Sequence, residues 1–402
     1  MGTNQYPVPV SSYSTSTVLP VNASAVLADG EITSGTPYST VVNGNGGIAY
    51  LVVNDNPGTV TIAGTAYTPT VGIITPINSV GLLTNVSLGI ASTGPSTWKL
   101  STMPYASITW AGITYGNGYF VAVAGLSSNS TVAAYSTDAI NWTVSSLPSS
   151  SAWRLVTYGN GYFVAVAGGG STAGAYSTNG TTWTASTLPT SQFWQGIGYG
   201  KIGATDYYVA VAYNTSNAAY STNGTTWNAM TMPSSGYWIG VAYGNGYFVA
   251  IQNNGTTAGA YSTNGTTWTA STMSSADTWY GVAYGNGTFV ATAGGTGTTA
   301  GTYSTNGITW TAMTMPLGNW HSITYGNGYF VSLSYAGGTG AYSTNGYTWS
   351  SLTMPTSNPW YSVAYGNGVF AATQADGVTA NSAYFTYPPV RFGLYMGPNN
   401  IH

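Results

Sequence analysis

Ionisable side chains that could carry acid–base chemistry are scarce in this sequence. Its 402 residues include four Lys or Arg, seven Asp or Glu and two His. Hydrolysis of a glycosidic bond requires two carboxyl groups on either side of the bond. Four acidic residues fall in the repeated part of the chain and are far apart in sequence: Asp138, Asp206, Asp277 and Asp376. The fold could bring two of them together, but no spacing indicates such a pair, and a degenerate glycoside hydrolase is the weakest functional hypothesis.

The histidines point to chemistry only weakly. His321 follows Asp277 by about one repeat, and a His–Asp pair beside a serine could activate a nucleophile. Serine and threonine are frequent everywhere, so composition alone would produce this arrangement. Two histidines without any cysteine do not make a multi-ligand metal site, and the glycine-rich segments lack the lysine of a phosphate-binding loop. We therefore predict no catalytic residue, metal or cofactor, and a protein that is not an enzyme.

The charge and hydropathy of the chain exclude two further classes of partner. Four basic residues cannot neutralise a run of phosphates, so we expect no nucleic-acid binding. No stretch of about 18 apolar residues is present, so we expect no insertion into a membrane. The first residues, MGTNQYPVPV, lack the basic and apolar segments of a secretory signal.

Two phrases recur along most of the chain. A Tyr-Gly pair, usually YGNG, occurs seven times, and a tryptophan stands five residues before each of these tyrosines. A second phrase, YST[ND]xxxW, supplies a further tryptophan to each repeat, with STGPSTW as a shortened form near residue 98. The tryptophans of this second phrase are Trp98, Trp142, Trp183, Trp227, Trp268, Trp310 and Trp349. All fourteen tryptophans are thus placed, two in each of seven repeats.

Each repeat has the pattern of four antiparallel strands. Asn-Gly between apolar segments is a strong signal for a two-residue hairpin turn, and each repeat has two hairpins. The second strand, for example residues 162–167, is apolar at nearly every position, as expected for a strand buried on both faces. Repeats of this kind predict an all-β fold, a seven-bladed β-propeller, with a solenoid as the alternative.

The ends of the array favour a closed ring. The last repeat lacks its fourth strand, and residues 97–103, which contain Trp98, would supply it. Closure of this kind removes the exposed edges of the sheet. We predict an extended arm at 1–25, a small β-rich anchoring domain at 26–90, the propeller at 91–388 and a C-terminal tail at 389–402.

The phrase YSTNGTTW resembles the Asp-box of sialidase-like propellers. Ser177, Gly180 and Trp183 match the box, whereas Asn179 replaces its aspartate and stands one residue closer to the glycine. Asp138 alone keeps the acid, beside Ala139 in place of glycine. The resemblance implies the propeller architecture and no activity. The arginine cluster and the Tyr-Glu pair of a sialidase are absent, because the repeats hold one arginine and Glu31 lies outside them. The repeats also resemble those of bacteriophage tail and virion proteins.

One face of the predicted ring varies between repeats. In each blade, the loop between the second and third strands and the connection to the next blade lie on this side, which we call the variable face. The residue directly after the first tryptophan also varies: Ala111, Arg154, Gln195, Ile239, Tyr280, His321 and Tyr361. We predict that Arg154, Gln195, Tyr280, His321 and Tyr361 form a ligand-binding surface, with Tyr280 and Tyr361 as its anchors. Neutral drift of solvent-exposed loops is the alternative.

These patterns lead to a functional hypothesis. A surface protein of a phage particle, either a tail-fibre-like adhesin or a capsid decoration, would attach to other virion proteins through its N-terminal part, as part of a multi-copy assembly. Its propeller would recognise a host-surface glycan or protein, since tyrosine, serine and asparagine suit contact surfaces. The alternative is an extracellular lectin that binds neutral glycans.

Overall fold

The computed structural model of the chain describes Pro95 and residues 97–386, except 126–128 and 296, together with eight strands outside this range. The chain divides into two compact units, Met1–Gly94 with Thr386–His402, and Pro95–Phe385. Except for Ala25, the predicted arm at 1–25 lies outside the described residues. No helix long and apolar enough to cross a membrane occurs in the described part of the chain.

The first unit contains short strands. Before residue 95 these are β1 (Ala25–Ile32), β2 (Tyr38–Asn43), β3 (Ala49–Val53), β4 (Val60–Ile62), β5 (Thr65–Tyr67), β6 (Thr75–Ile77) and β7 (Leu82–Leu88). β2 pairs with β7 and β4 pairs with β5, in both cases antiparallel.

The second unit contains twenty-eight strands of seven four-stranded sheets. In chain order they are β8 (Lys99–Thr102), β9 (Trp110–Gly116), β10 (Tyr119–Ala124), β11 (Ser130–Ser136), β12 (Thr143–Ser151), β13 (Trp153–Gly159), β14 (Tyr162–Ala167), β15 (Ser171–Ser177), β16 (Thr184–Gln192), β17 (Trp194–Ile202), β18 (Thr205–Ala212), β19 (Thr215–Ser221), β20 (Asn228–Gly236), β21 (Trp238–Gly244), β22 (Tyr247–Gln252), β23 (Thr256–Ser262), β24 (Thr269–Asp277), β25 (Trp279–Gly285), β26 (Thr288–Ala293), β27 (Thr298–Ser304), β28 (Thr311–Gly318), β29 (Trp320–Gly326), β30 (Tyr329–Ser334), β31 (Thr339–Ser343), β32 (Ser350–Thr353), β33 (Trp360–Gly366), β34 (Val369–Gln374) and β35 (Asn381–Thr386).

The seven sheets form a closed ring of blades. Six blades consist of four consecutive strands, and the seventh has the order β33-β34-β35-β8. The first strand of each blade contacts the first strand of the next, and β33 contacts β9. The prediction of an all-β, seven-bladed propeller is confirmed.

The last strand in the described part of the chain is β36 (Val390–Met396). It lies between β1 and β3 in a four-stranded sheet of the first unit, with the order β1-β36-β3-β6. The segment 389–402, which we expected to be a tail, therefore contains a strand. Its apolar sequence, VRFGLYM, suits a strand, but the sequence contains no sign of partners located more than 300 residues earlier.

Tyrosines and glycines of the YGNG phrase interlock around the ring. A Cβ added to Gly159 would lie 2.1 Å from the ring of Tyr199 in the next blade, and one added to Gly366 would lie 1.9 Å from Tyr115 of the first blade. All seven Tyr-Gly glycines are covered by a tyrosine ring in this way. The glycine is required because the ring stacks directly on its backbone, and the repeat therefore specifies the contact between blades.

The box turns are held by short-range hydrogen bonds. The Oγ of Ser177 accepts a hydrogen bond from the backbone N–H of Gly180 at 2.8 Å. The Oδ1 of Asn179 accepts from two backbone N–H groups, those of Thr181 and Thr182, at 3.0 and 2.9 Å. Asp138 accepts the equivalent two bonds in the first box at 2.8 Å each. Asparagine therefore replaces aspartate without losing the acceptor that holds the turn.

The first box has alanine where the other boxes have glycine, and the preceding blade has a smaller residue at the position that contacts it. Ala139 adopts a φ of 61°, a conformation in which the other boxes have glycine. A Cβ on Gly180 would lie 2.7 Å from Val121 in the preceding blade. The residue equivalent to Val121 in the blade before Ala139 is Ala371, and Ala139 and Ala371 share one buried cluster. A smaller neighbour leaves space for the extra methyl group.

This pairing predicts a rescue experiment. Ala371→Val should destabilise the propeller by about 1–3 kcal/mol, because two added methyl groups would crowd Ala139. Ala139→Gly should offset most of this loss in the double variant, since it removes both the crowding and the strained backbone. Urea unfolding of the two single variants and the double variant measures the coupling, and additive effects would contradict the prediction.

Candidate functional site

A β-bulge follows the first tryptophan of every blade. In the second blade, Trp153 pairs with Ala167 and Leu155 pairs with Val166, so Arg154 is the extra residue on its strand. The same shift of register occurs in all seven blades. The seven tryptophans are fully buried. A bulge redirects the side chain at the extra position. The variable residue therefore does not have to follow the tryptophan before it into the core.

A backbone hydrogen bond holds the variable loops beside the bulges. The residue before each first tryptophan accepts a bond from the N–H of the residue that follows the second strand, for example Phe193 from Tyr213 at 2.9 Å. Asn319 accepts the equivalent bond from Tyr335 at 2.8 Å. Three positions per blade are therefore brought together at this end of the ring: the residues before and after the tryptophan, and the first loop residue.

These positions surround a cavity of about 740 Å³, which we call the variable-face pocket. Six blades contribute to its lining, which consists of Arg154, Phe193, Gln195, Tyr213, Asn214, Tyr237, Asn253, Tyr280, Asn319, His321, Tyr335 and Tyr361. All five residues that the sequence singled out for ligand binding line it. The same five also line a smaller cavity of about 200 Å³, whose other lining residues belong to the first strands around the ring centre.

Aromatic rings line much of the pocket. Tyr213 and Tyr237, from neighbouring blades, stack with centroids 4.3 Å apart and an angle of 22° between their planes. Phe193 is 54% exposed and offers an apolar surface beside them. Three other blades contribute Tyr280, Tyr335 and Tyr361, which surround one imidazole.

That imidazole belongs to His321. Its centroid lies 4.1 Å from that of Tyr361 and 4.8 Å from that of Tyr280. Its Nδ1 lies 3.2 Å from the carbonyl oxygen of Tyr361, which can only accept, so Nδ1 carries the proton and Nε2 is the acceptor. Burial, with a contribution from the charge of Arg154, lowers the pKa of His321 to about 4. The ring is therefore neutral at pH 7.

Among the described residues that line the pocket, Arg154 is the one cation. Its guanidinium carbon lies 5.9 Å from the ring centroid of Tyr361, within the range of a cation–π interaction. Its aliphatic chain passes over Gly168, where an added Cβ would lie 3.1 Å from Cδ of Arg154. Tyr280 packs against Gly294 in the same manner, since an added Cβ would lie 2.3 Å from its Cδ2. Large variable residues thus lie over glycines of the adjoining loops.

Amide groups provide the polar part of the lining. The Oδ1 of Asn319 accepts from the backbone N–H of Gly295 at 2.8 Å, which orients that side chain. The Oδ1 of Asn253 is buried and accepts no hydrogen bond within the described part of the chain. A buried acceptor of this kind is stabilised by a donor from water or from a ligand.

Several lining residues were missed from the sequence. Phe193, Tyr237 and Asn319 precede the first tryptophans, and this position varies between repeats as much as the position after it. Tyr213, Asn214, Asn253 and Tyr335 belong to the variable loops, which we placed on the correct face without naming single residues. Only the structure shows that the residue before each first tryptophan lies beside the first residue of the variable loop.

The low pKa of His321 predicts a pH dependence of stability. Between pH 6.5 and 4 the unfolded chain binds a proton that the folded chain excludes, so stability should fall as the pH decreases through this window. The loss should reach up to about 3 kcal/mol near pH 4 and be absent above pH 7. Urea unfolding at several pH values measures it, and His321→Gln should remove this part of the dependence. An unchanged dependence in that variant would contradict the assignment.

Comparisons with known proteins identify the fold. No family model matches the chain, and no curated protein matches it. Virginiamycin B lyase from Staphylococcus aureus is similar over 73% of this chain and 99% of its own, with 13% identity and a TM-score of 0.63. YCF48 from Cyanidioschyzon merolae is similar over 72% and 99%, with 13% identity and a TM-score of 0.54. The WD40 propeller of Doa1 is similar over 73% and 98%, with 12% identity and a TM-score of 0.54.

These similarities correct one expectation. From the few ionisable groups we predicted a protein that is not an enzyme, yet the structures with this fold include the streptogramin B lyases, which are enzymes. The prediction is wrong because composition counts groups without regard to position. Catalysis needs only a few groups that converge, and the fold brings an imidazole, a guanidinium and several phenols together at one pocket.

Proposed function

We propose that the propeller is a recognition module that binds a glycan in the variable-face pocket. The observation that carries this proposal is the convergence of stacked aromatic rings with amide side chains in one open cavity. Aromatic faces cover the apolar faces of sugar rings, and amides both donate to and accept from hydroxyl groups. Binding pockets typically combine an apolar lining with a few polar groups that orient the ligand.

The shape of the site supports a ligand larger than a single sugar. The volume of about 740 Å³ falls in the range of small-molecule sites, and six blades contribute to the lining. The unpaired Oδ1 of Asn253 is suited to a ligand hydroxyl, and Tyr213 with Tyr237 forms a flat surface for a neighbouring ring.

The biological setting that we propose is the surface of a phage particle. The support is the resemblance of the repeats to those of virion proteins and the nearly uncharged sequence. The propeller would recognise the host surface, and the first unit would attach to other virion proteins in a multi-copy assembly. An extracellular lectin is the alternative setting, and the identity of the neighbouring genes distinguishes the two.

A glycan microarray tests the proposal. The labelled 402-residue chain should bind a defined subset of glycans, and soluble forms of these should compete in solution. The matched control is Tyr347→Ala, which removes an exposed tyrosine from a box turn and should leave binding unchanged. Absence of binding to every glycan on an array that includes host-surface polysaccharides would contradict the proposal.

His321 supports a second candidate function at the same pocket, an elimination reaction. Its neutral ring, with Nε2 as the acceptor, could remove a proton from the carbon next to a carboxylate. The electron pair would form a carbon–carbon double bond as the adjacent carbon–oxygen bond breaks, and the leaving oxygen would take a proton from solvent. Arg154 would stabilise the negative charge that develops on the carboxylate. The lyases that share the fold add to this possibility.

Incubation with acidic polysaccharides tests this second candidate. Elimination should produce oligosaccharides with a conjugated double bond, detected by ultraviolet absorbance, and His321→Gln should abolish the product. If the chain binds glycans on the array but cleaves no acidic polysaccharide, glycan recognition remains and elimination is rejected.

A further inference from the structure

The charge in the lining of the variable-face pocket is positive. Among the residues that the structure describes, Arg154 is the only lysine or arginine in its lining, and no aspartate or glutamate lines this pocket or the smaller cavity beneath it. The whole chain carries a formal net charge of −3, so the pocket opposes the charge of the protein. The field of Arg154 reaches the cavity, since it contributes to the lowered pKa of His321.

The side chain of Arg154 is held in place on two sides. Its aliphatic part lies against the backbone of Gly168, and its guanidinium lies over the ring of Tyr361. Both contacts restrain the side chain without neutralising its charge. A partly buried cation without a carboxylate in the same cavity loses hydration that is not replaced. A ligand with a negative group would replace it.

We infer that Arg154 binds the carboxylate of an acidic sugar residue, so that the pocket recognises an acidic glycan and not a neutral one. This inference rests on the proposed function and narrows its ligand class. A planar guanidinium pairs with a planar carboxylate through two parallel hydrogen bonds, which a lysine does not reproduce. The ring of Tyr361 beside the guanidinium lowers the local dielectric constant and strengthens the pair.

Paired glycans provide the test. Titration calorimetry should compare sialyllactose with its methyl ester, and an oligogalacturonate with its methyl ester, since the members of each pair differ only in whether the carboxyl groups carry a charge. At least one acidic member should bind about 10- to 100-fold more tightly than its neutral partner. Arg154→Gln should lower the affinity for that acidic glycan to the neutral level, and Arg154→Lys should give an intermediate value.

Two controls separate the pocket from general electrostatics. Lys201→Gln removes an exposed positive charge at the other end of a first strand and should not change the preference. The melting temperatures of Arg154→Gln and Lys201→Gln report on folding, so that a loss of affinity caused by unfolding is recognised.

Each of the following outcomes would overturn the inference or a part of it. Equal affinity for acidic and neutral members, or an acidic preference that survives in Arg154→Gln, overturns the inference but leaves glycan recognition standing. Tighter binding of a sulfated lactose than of every carboxylated probe overturns the assignment to a carboxylate. Absence of binding to all probes and to the whole array overturns both this inference and the proposed function.

Discussion

Replacing Trp98 by alanine should lower the free energy of unfolding of the propeller by about 3–5 kcal/mol. Trp98 is 6% exposed, and its ring lies 6.4 Å from that of Phe370 and 6.3 Å from that of Phe385, between centroids. Its indole N–H donates to the carbonyl of Pro95 at 3.1 Å. The substitution leaves a cavity at the point where the start of the propeller chain joins its end.

The consequence extends beyond one cavity. Trp98 directly precedes β8, which pairs with β35 as the outer strand of the seventh blade. Ser101 on this strand donates to the carbonyl of Ala139 in the first blade at 2.9 Å and shares a hydrogen bond with Ser382 at 2.7 Å. Weakening the attachment of β8 therefore exposes the edge of β35 as well as the core.

Urea unfolding followed by fluorescence or circular dichroism measures this loss. Trp98→Phe should cost less, because it retains a ring, and Leu100→Ala should cost under 1 kcal/mol, because Leu100 is 47% exposed on the same strand. A Trp98→Ala variant as stable as Leu100→Ala would show that the strand does not close the ring energetically.

Tyr280→Ala combined with Tyr361→Ala should reduce the affinity for the glycan by at least about 100-fold, since buried aromatic anchors each contribute about 2 kcal/mol or more. Both rings contact His321 and line the variable-face pocket. Titration calorimetry with the glycan identified on the array measures the change.

The two anchors, Tyr280 and Tyr361, differ in how deeply they are buried. Tyr361 is 7% exposed, so its replacement should also lower stability, whereas Tyr280 is half-buried and should lower mainly affinity. Gly294→Ala offers a finer variant, because the added methyl group would displace the ring of Tyr280 without removing it. It should weaken binding in the same direction. Unchanged affinity in both Tyr280→Ala and Gly294→Ala would remove Tyr280 from the site.

The sequence by itself determined the architecture of the propeller. Asn-Gly turns require positive φ at both residues, and the structure has φ values of 46° at Asn117 and 82° at Gly118. The regular spacing of Tyr-Gly and tryptophan set the number of blades, since these residues make the same contact in each repeat. The variable residues could also be placed on one face, because antiparallel strands alternate in direction.

Only the tertiary structure showed that those variable residues line one pocket. The bulge after each first tryptophan adds one residue to the strand, and no feature of the sequence marks it. Arg154, His321 and Tyr361 stand in three different blades, and their approach depends on closure of the ring. Composition suggested a protein without chemistry because it counts ionisable groups over the whole chain. The fold instead concentrates two of them in one pocket, where burial and the charge of Arg154 change the proton affinity of His321.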